Sequence, residues 1–88
     1  MPTVHIPASL RNATDGQSTL QIAGVSTDEL LAKIRSDHPQ LAERILDSDG
    51  RLLPHIQMFV GESQVNSSEP VSVDSGSEVL LVSPLAGG

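Results

Sequence analysis

The sequence predicts an α+β fold, in which a mixed β-sheet wraps one main helix and a short second helix follows it. Three observations carry that expectation. An apolar stripe at helical spacing, with a marked start and stop, lies near the middle of the chain, between short stretches of alternating apolar and polar residues. The last such stretch, Val79-Leu80-Leu81-Val82, runs nearly to the final residue. The whole chain has 88 residues, one small domain's worth. Helix and strands must therefore share one core, since neither hides its apolar side alone.

The elements follow in order. Val4 and Ile6 alternate with Thr3 and His5, as in a strand with one buried face. Arg11 to Gly16 is polar and ends in Asp-Gly, a turn signal. Leu20 and Ile22 then alternate with Thr19 and Gln21, which completes a first hairpin. Ser26-Thr27-Asp28-Glu29 has the Ser-x-x-Glu pattern of a capping box, with Val25 and Leu30 placed as a hydrophobic staple. Leu30, Leu31 and Ile34 continue the helix, and Pro39 ends it. A second helical piece, 39–46, carries Leu41, Ala42, Ile45 and Leu46.

Asp47-Ser48-Asp49-Gly50 reads as a turn. Ile56, Met58 and Val60 alternate with Gln57 and Phe59 in a third strand, followed by a tight turn at Gly61-Glu62-Ser63 and a short strand through Val65. A polar connection from Asn66 to Ser77 holds Val71 and Val73, and the final strand spans 78–83. This order, β-β-α-β-β-β, is the β-grasp arrangement, in which a sheet wraps a diagonal helix. Residues 1–84 form the expected domain and residues 85–88 a flexible tail.

Composition narrows the function. Leu, Ile, Val and Phe supply 25 of the 88 residues, above the share of roughly one fifth below which disorder is the better reading. The core should be almost purely aliphatic, with one Phe and no Trp or Tyr. There is no apolar run of about 18 residues to span a membrane, and the start of the chain lacks the basic and apolar regions of a secretory signal. The expected location is the cytoplasm, with no membrane partner. Zero cysteines exclude a disulfide framework, a thiolate metal site and chemistry on a thiol of the chain itself. Five basic against eleven acidic residues leave a net charge of −6. Arg11, Arg35, Arg44, Arg51 and the single Lys33 are dispersed, so the clustered basic face of a nucleic-acid binder is missing. The acidic surface suits solubility or a basic protein partner.

The C-terminus is distinctive. An apolar strand passes through Ser83 and Pro84 into Leu85-Ala86-Gly87-Gly88. Glycines lack side chains and can thread a narrow passage in backbone conformations closed to other residues. Fully extended, the four residues after Pro84 reach about 13 to 14 Å, enough to carry the terminal carboxylate into another protein's active site.

With Ser83-Pro84-Leu85-Ala86-Gly87-Gly88 at the end of a β-grasp body, the chain resembles the ubiquitin-like sulfur carriers. That family includes the thiamin and molybdopterin carriers and an actinobacterial carrier for cysteine biosynthesis. The likeness covers nearly the full length and leans toward the cysteine type: Ile6-Pro7 with Leu10-Arg11, Glu43-Arg44-Ile45-Leu46-Asp47, Ile56-Gln57-Met58-Phe59-Val60 and Gly76-Ser77-Glu78-Val79 all match. The resemblance implies a chain without catalytic side chains and without a bound metal or cofactor. A partner, an E1-like adenylyltransferase, would spend ATP to join the Gly88 carboxylate to AMP. A sulfur donor, a sulfurtransferase persulfide or sulfide, would displace AMP and leave a thiocarboxylate for a sulfur-accepting biosynthetic enzyme. Gly87, Ala86 and Leu85 would be the spacer. Some relatives carry residues beyond the glycines that a metalloprotease trims. Asn66-Ser67-Ser68-Glu69-Pro70 departs from the Gly- and Leu-containing stretch common in these carriers, which leaves the receiving pathway open.

A docking face follows from the pleat. With Val79 and Leu81 toward the helix, Leu80 and Val82 face outward. Met58 inward leaves Gln57 and Phe59 outward. A Phe59-Leu80-Val82 patch beside the tail resembles the face that ubiquitin-like proteins present to partners, and exposed apolar patches mark binding sites. The competing expectation is that the connection around Val71 and Val73 covers part of it.

Other constellations are weaker. Asp47-Ser48-Asp49-Gly50 begins like a calcium loop, yet the twelfth position, where a bidentate Glu belongs, is Met58. His5, His38 and His55 share no ligand spacing. There is no Gly-x-Ser-x-Gly and no phosphate-cradling glycine motif, so ATP is not expected to bind the chain unaided. Three alternatives to a cysteine-type carrier stay open. They are the small subunit of molybdopterin synthase, a protein modifier conjugated through Gly88, and a β-grasp binding module with incidental glycines.

Overall fold

The computed structural model describes residues 1–65 and 69–83. Within them β1 (Thr3–His5), β2 (Thr19–Gln21), β3 (Gln57–Val60), β4 (Ser63–Val65) and β5 (Glu78–Val82) form one sheet in the order β2-β1-β5-β3-β4. β5 pairs parallel with β1 and antiparallel with β3, and both hairpins are antiparallel. The strand nearest the chain end thus occupies the middle of the sheet. Helices α1 (Thr27–Asp37) and α2 (Pro39–Ile45) join the two halves. The architecture is the expected β-grasp, α+β with a mixed five-stranded sheet.

One aliphatic cluster holds these parts together. Val4, Leu20, Met58, Val65, Val79 and Leu81 point from the sheet toward Leu30, Leu31 and Ile34 of α1 and Leu41, Ala42 and Ile45 of α2. Helical spacing gathers the helix residues onto one stripe, and strand alternation gathers the sheet residues onto one face. The break between the helices is steric. Proline crowds the residue before it out of the helical region, and His38 sits at φ −131°, ψ 64°, its amide still bonded to the Ile34 carbonyl at 2.8 Å. Pro39 then opens α2, where its missing N–H costs nothing.

Three local expectations are corrected. The polar stretch after β1 is mostly a 3-10 helix, Ala8–Ala13, with Leu10 buried. One apolar anchor leaves no period to read. The turn proper is Asp15-Gly16, at φ 56° and 82°. The capping box does not close as expected. Ser26 occupies the N-cap without a side-chain cap bond, and its hydroxyl donates to the Asp28 carboxylate instead. Glu29 reaches one residue further back and accepts from the Val25 amide at 3.3 Å. The staple is absent as well: Val25 is 66% exposed, and Leu30 packs over Gly24, where an added Cβ would lie 3.0 Å from Leu30 Cδ2.

The reason lies in a long-range pairing. The Val73 amide donates to the Val25 carbonyl (3.0 Å), the Thr27 amide to the Val71 carbonyl (2.9 Å), and Ser26 bridges Ser72. The chain entering α1 therefore runs extended at Ser26 against 71–73, and the Val25 side chain turns to solvent. Thr27, 2% exposed, completes the lock by accepting the Val71 amide at Oγ1 (2.9 Å). Val73 is buried in the core and Val71 packs against it.

The remaining turns match their sequence signals. Asp47 Oδ1 accepts the amides of Asp49 and Arg51 at 2.9 and 3.0 Å, which closes the 47–51 turn. Between β3 and β4 the turn residues are Gly61 and Glu62, and Ser63 already belongs to β4. Gly61 sits at φ 60°, a left-handed conformation unfavourable for residues with a Cβ.

Candidate functional site

The candidate site is the sheet face turned away from the helices. β5 runs along its centre and leads toward Pro84 and the glycines. Val79 and Leu81 are 0% and 4% exposed, whereas Leu80 is 40% exposed. The alternation needed for a one-sided strand is therefore realised in the expected phase. Met58 on β3 is buried, Phe59 and Val82 are half-buried, and Gln57 is exposed.

Strand register builds the face. Leu80 lies opposite Phe59 on β3 and opposite His5 on β1, and Val82 lies opposite Gln57. Phe59 in turn faces Gln64 of β4. Directly opposed residues on one face interact, so His5, Leu80, Phe59 and Gln64 form one row across four strands, apolar in the middle and polar at both ends. Phe59, Leu80, Val82 and Gln57, separate in sequence, are thus brought together on one face. The connection does not use Val71 and Val73 to cover them, since both valines pack into the core beside the start of α1. The tail residues Leu85, Ala86, Gly87 and Gly88 lie outside the described residues.

His5 and Glu78 belong to this face too, although sequence reasoning assigned neither a role. His5 Nε2 stands 2.9 Å from Glu78 Oε1, with the side chains 40% and 59% exposed. It is the one side-chain contact between a carboxylate and a basic group among the described residues. A solvent-exposed pair contributes about 0–1 kcal/mol to stability, so its weight lies in the surface it shapes. The outward phase of His5 was visible in the alternation of β1. That it would lie beside Leu80 depends on the parallel pairing of β1 with β5, which no local pattern reports.

The other concavities point elsewhere. An open groove of about 350 Å³ between α1 and the 47–51 turn is lined by Leu31, Ala32 and Arg35 together with Arg51 and Asp49. Arg35 Nη2 donates to the Ser48 carbonyl there at 3.3 Å. Its surface mixes both charge signs and holds no nucleophile–base pair. Among the described residues no three His, Asp or Glu side chains stand close enough to hold a metal, and no helix is long and apolar enough to cross a membrane. Among the described residues the arrangement offers a one-sided surface.

Comparisons with known proteins bear on the family and the fold. No family model matches the chain. A candidate sulfur carrier protein of Archaeoglobus fulgidus is 31% identical over 87 residues, covering 97% of this chain and 96% of the relative. The sulfur carrier protein CysO of Mycobacterium tuberculosis is 27% identical over 90 residues, 98% of this chain and 97% of the relative. Among solved structures, CysO in the BexX/CysO complex of Amycolatopsis orientalis superposes with a TM-score of 0.81 at 22% identity, covering 94% of each chain. SAMP1 of Haloferax volcanii superposes at 0.77 with 24% identity, covering 99% of this chain and 98% of the other. At such identities the structural likeness speaks for the fold alone.

Proposed function

The chain belongs to the family of sulfur carrier proteins, and on that premise we propose that it carries sulfur as a thiocarboxylate on Gly88. The observation that supports the reading is the position of β5. The central strand, which carries exposed Leu80 and half-buried Val82 beside half-buried Phe59, precedes in sequence a segment whose last residues are Gly87 and Gly88. A body that docks by its open face would send a narrow tail into the partner's active site.

The chemistry is acyl activation. A C-terminal carboxylate, with an ordinary pKa of roughly 3.3–3.7, is ionised at neutral pH and resists nucleophiles. An adenylating partner removes that resistance. A carboxylate oxygen of Gly88 bonds to the α-phosphorus of ATP and pyrophosphate departs, which leaves an acyl-adenylate. Sulfide then attacks the acyl carbon and AMP leaves with the bridging oxygen, giving the thiocarboxylate and a proton. Where a protein persulfide is the donor, its outer sulfur displaces AMP to give an acyl disulfide. A second thiol then attacks the donor's inner sulfur, forming a disulfide with it and releasing the thiocarboxylate and a proton. The carrier supplies the acyl group, the glycine spacer and the docking surface; catalysis belongs to the partners. Phe59, Leu80 and Val82, rimmed by Gln57, form the docking face in this reading, and a biosynthetic enzyme for cysteine or another thio-metabolite accepts the sulfur.

Intact-mass spectrometry tests the proposal. The chain is incubated with ATP, sulfide and the adenylating enzyme encoded in the same genome. The expected result is a mass rise equal to one oxygen replaced by sulfur, absent when Gly88 is deleted. An unchanged mass, with an enzyme shown to form the adenylate on its own carrier, would refute it.

A further inference from the structure

We propose that Glu78 is the charged anchor of the open face and takes a guanidinium or ammonium group of the docking partner. The inference rests on the carrier reading above and concerns the chemistry of that partner. Among the described strand residues facing outward, Glu78 is the one carboxylate and His5 the one titratable base; the others are Thr, Gln, Leu, Val and Phe. In a protein of net charge −6, the outward positions of the five strands thus hold a single carboxylate, beside the apolar strip.

Its position is defined. Glu78 precedes Leu80 by two residues on β5, which puts the two side chains on the same face about 6.5 to 7 Å apart along the strand. His5, opposite Leu80, holds Glu78 Oε1 at 2.9 Å. Oε2 takes no hydrogen bond from a described residue, and the side chain is 59% exposed. A partner surface seated on Leu80 and Phe59 would cover Glu78 as well. A covered carboxylate with an unfilled oxygen demands a donor, and charge-assisted hydrogen bonds are the strong ones. The matching surface is therefore an apolar ridge for Leu80 and Phe59 with a basic side chain displaced toward the start of β5, away from the tail.

The test measures binding of the full chain to the adenylating enzyme used in the mass assay, at low and high salt, with circular dichroism confirming each variant's fold. Glu78→Gln keeps the size of the side chain and removes its charge. It should weaken binding at low salt by about 1.4- to fivefold, the range of a partly exposed ion pair, and flatten the salt dependence. Glu78→Lys should weaken it further and reverse the sign of the salt effect at this contact. Wild-type affinity and wild-type salt dependence in Glu78→Gln would overturn the anchor. If Leu80→Asp abolishes binding in that case, the carrier reading and its docking face survive while the anchor falls. If the wild-type chain neither binds nor gains mass, both fall together.

Discussion

Adjacent leucines of β5 provide the sharpest test of the face assignment. Leu81 is 4% exposed and contributes to the core, and Leu80 is 40% exposed on the open face. Leu81→Ala removes buried carbons and leaves a cavity, which costs about 2–5 kcal/mol. A domain of this size has a total stability of roughly 4–13 kcal/mol, so the variant loses a large share of it. With about 4–8 °C of melting temperature per kcal/mol, Leu81→Ala should melt at least about 8 °C lower. Leu80→Ala loses part of its cross-strand contact with Phe59 and His5, about 0.2–1 kcal/mol.

Docking reverses the order. Complete burial of a leucine side chain contributes about 1.5–3 kcal/mol, and the two-fifths of Leu80 still exposed offers about 0.6–1.2 kcal/mol of that to a partner. Leu80→Ala should therefore weaken binding to the adenylating enzyme about three- to sevenfold while the fold persists. Chemical denaturation gives the first quantity and titration calorimetry the second. Equal destabilisation by the two substitutions, or a larger loss in Leu80→Ala, would refute the reasoning. A one-residue register slip exchanges the two faces.

Other expectations test the local structure. Thr27→Val leaves the Val71 amide without its Oγ1 acceptor in a part-buried setting and should cost about 1–3 kcal/mol by denaturant midpoint; Thr27→Ser should recover most of it. At Gly61 a Cβ would meet open space, but φ is 60°, so Gly61→Ala should cost about 1–2 kcal/mol through backbone strain alone. Gly61→Asn should cost less, because asparagine tolerates that region. Both are read in the same denaturation series, and an Ala variant as stable as wild type would dismiss the strain.

More than secondary structure was legible in the residues alone. Alternation in Val4/Ile6, Met58/Phe59 and Val79/Leu80/Leu81/Val82 assigned side chains to faces, because the strand period of two leaves no other choice once one face must be buried. The stop between α1 and α2 was equally legible, since the clash imposed by Pro39 on His38 is local. The sulfur carrier family could be read from the Gly87-Gly88 end following an apolar strand, because that signal is contiguous in the sequence and needs no assembled cluster.

The pairings between distant segments had to await the folded chain. Ser26 and Glu29 carry a capping pattern, yet pairing with residues 71–73 turned Val25 outward and drew Glu29 to a different amide. A local motif competes with contacts made some 45 residues away, and the sequence pattern reports one side of that competition. The parallel placement of β1 beside β5 likewise set His5 next to Leu80 and within reach of Glu78. Phe59, Leu80 and Val82 were recognisable as outward residues one strand at a time. Their union with His5, Glu78 and Gln64 on one surface comes from strand order and register, which arise when the whole core is buried at once.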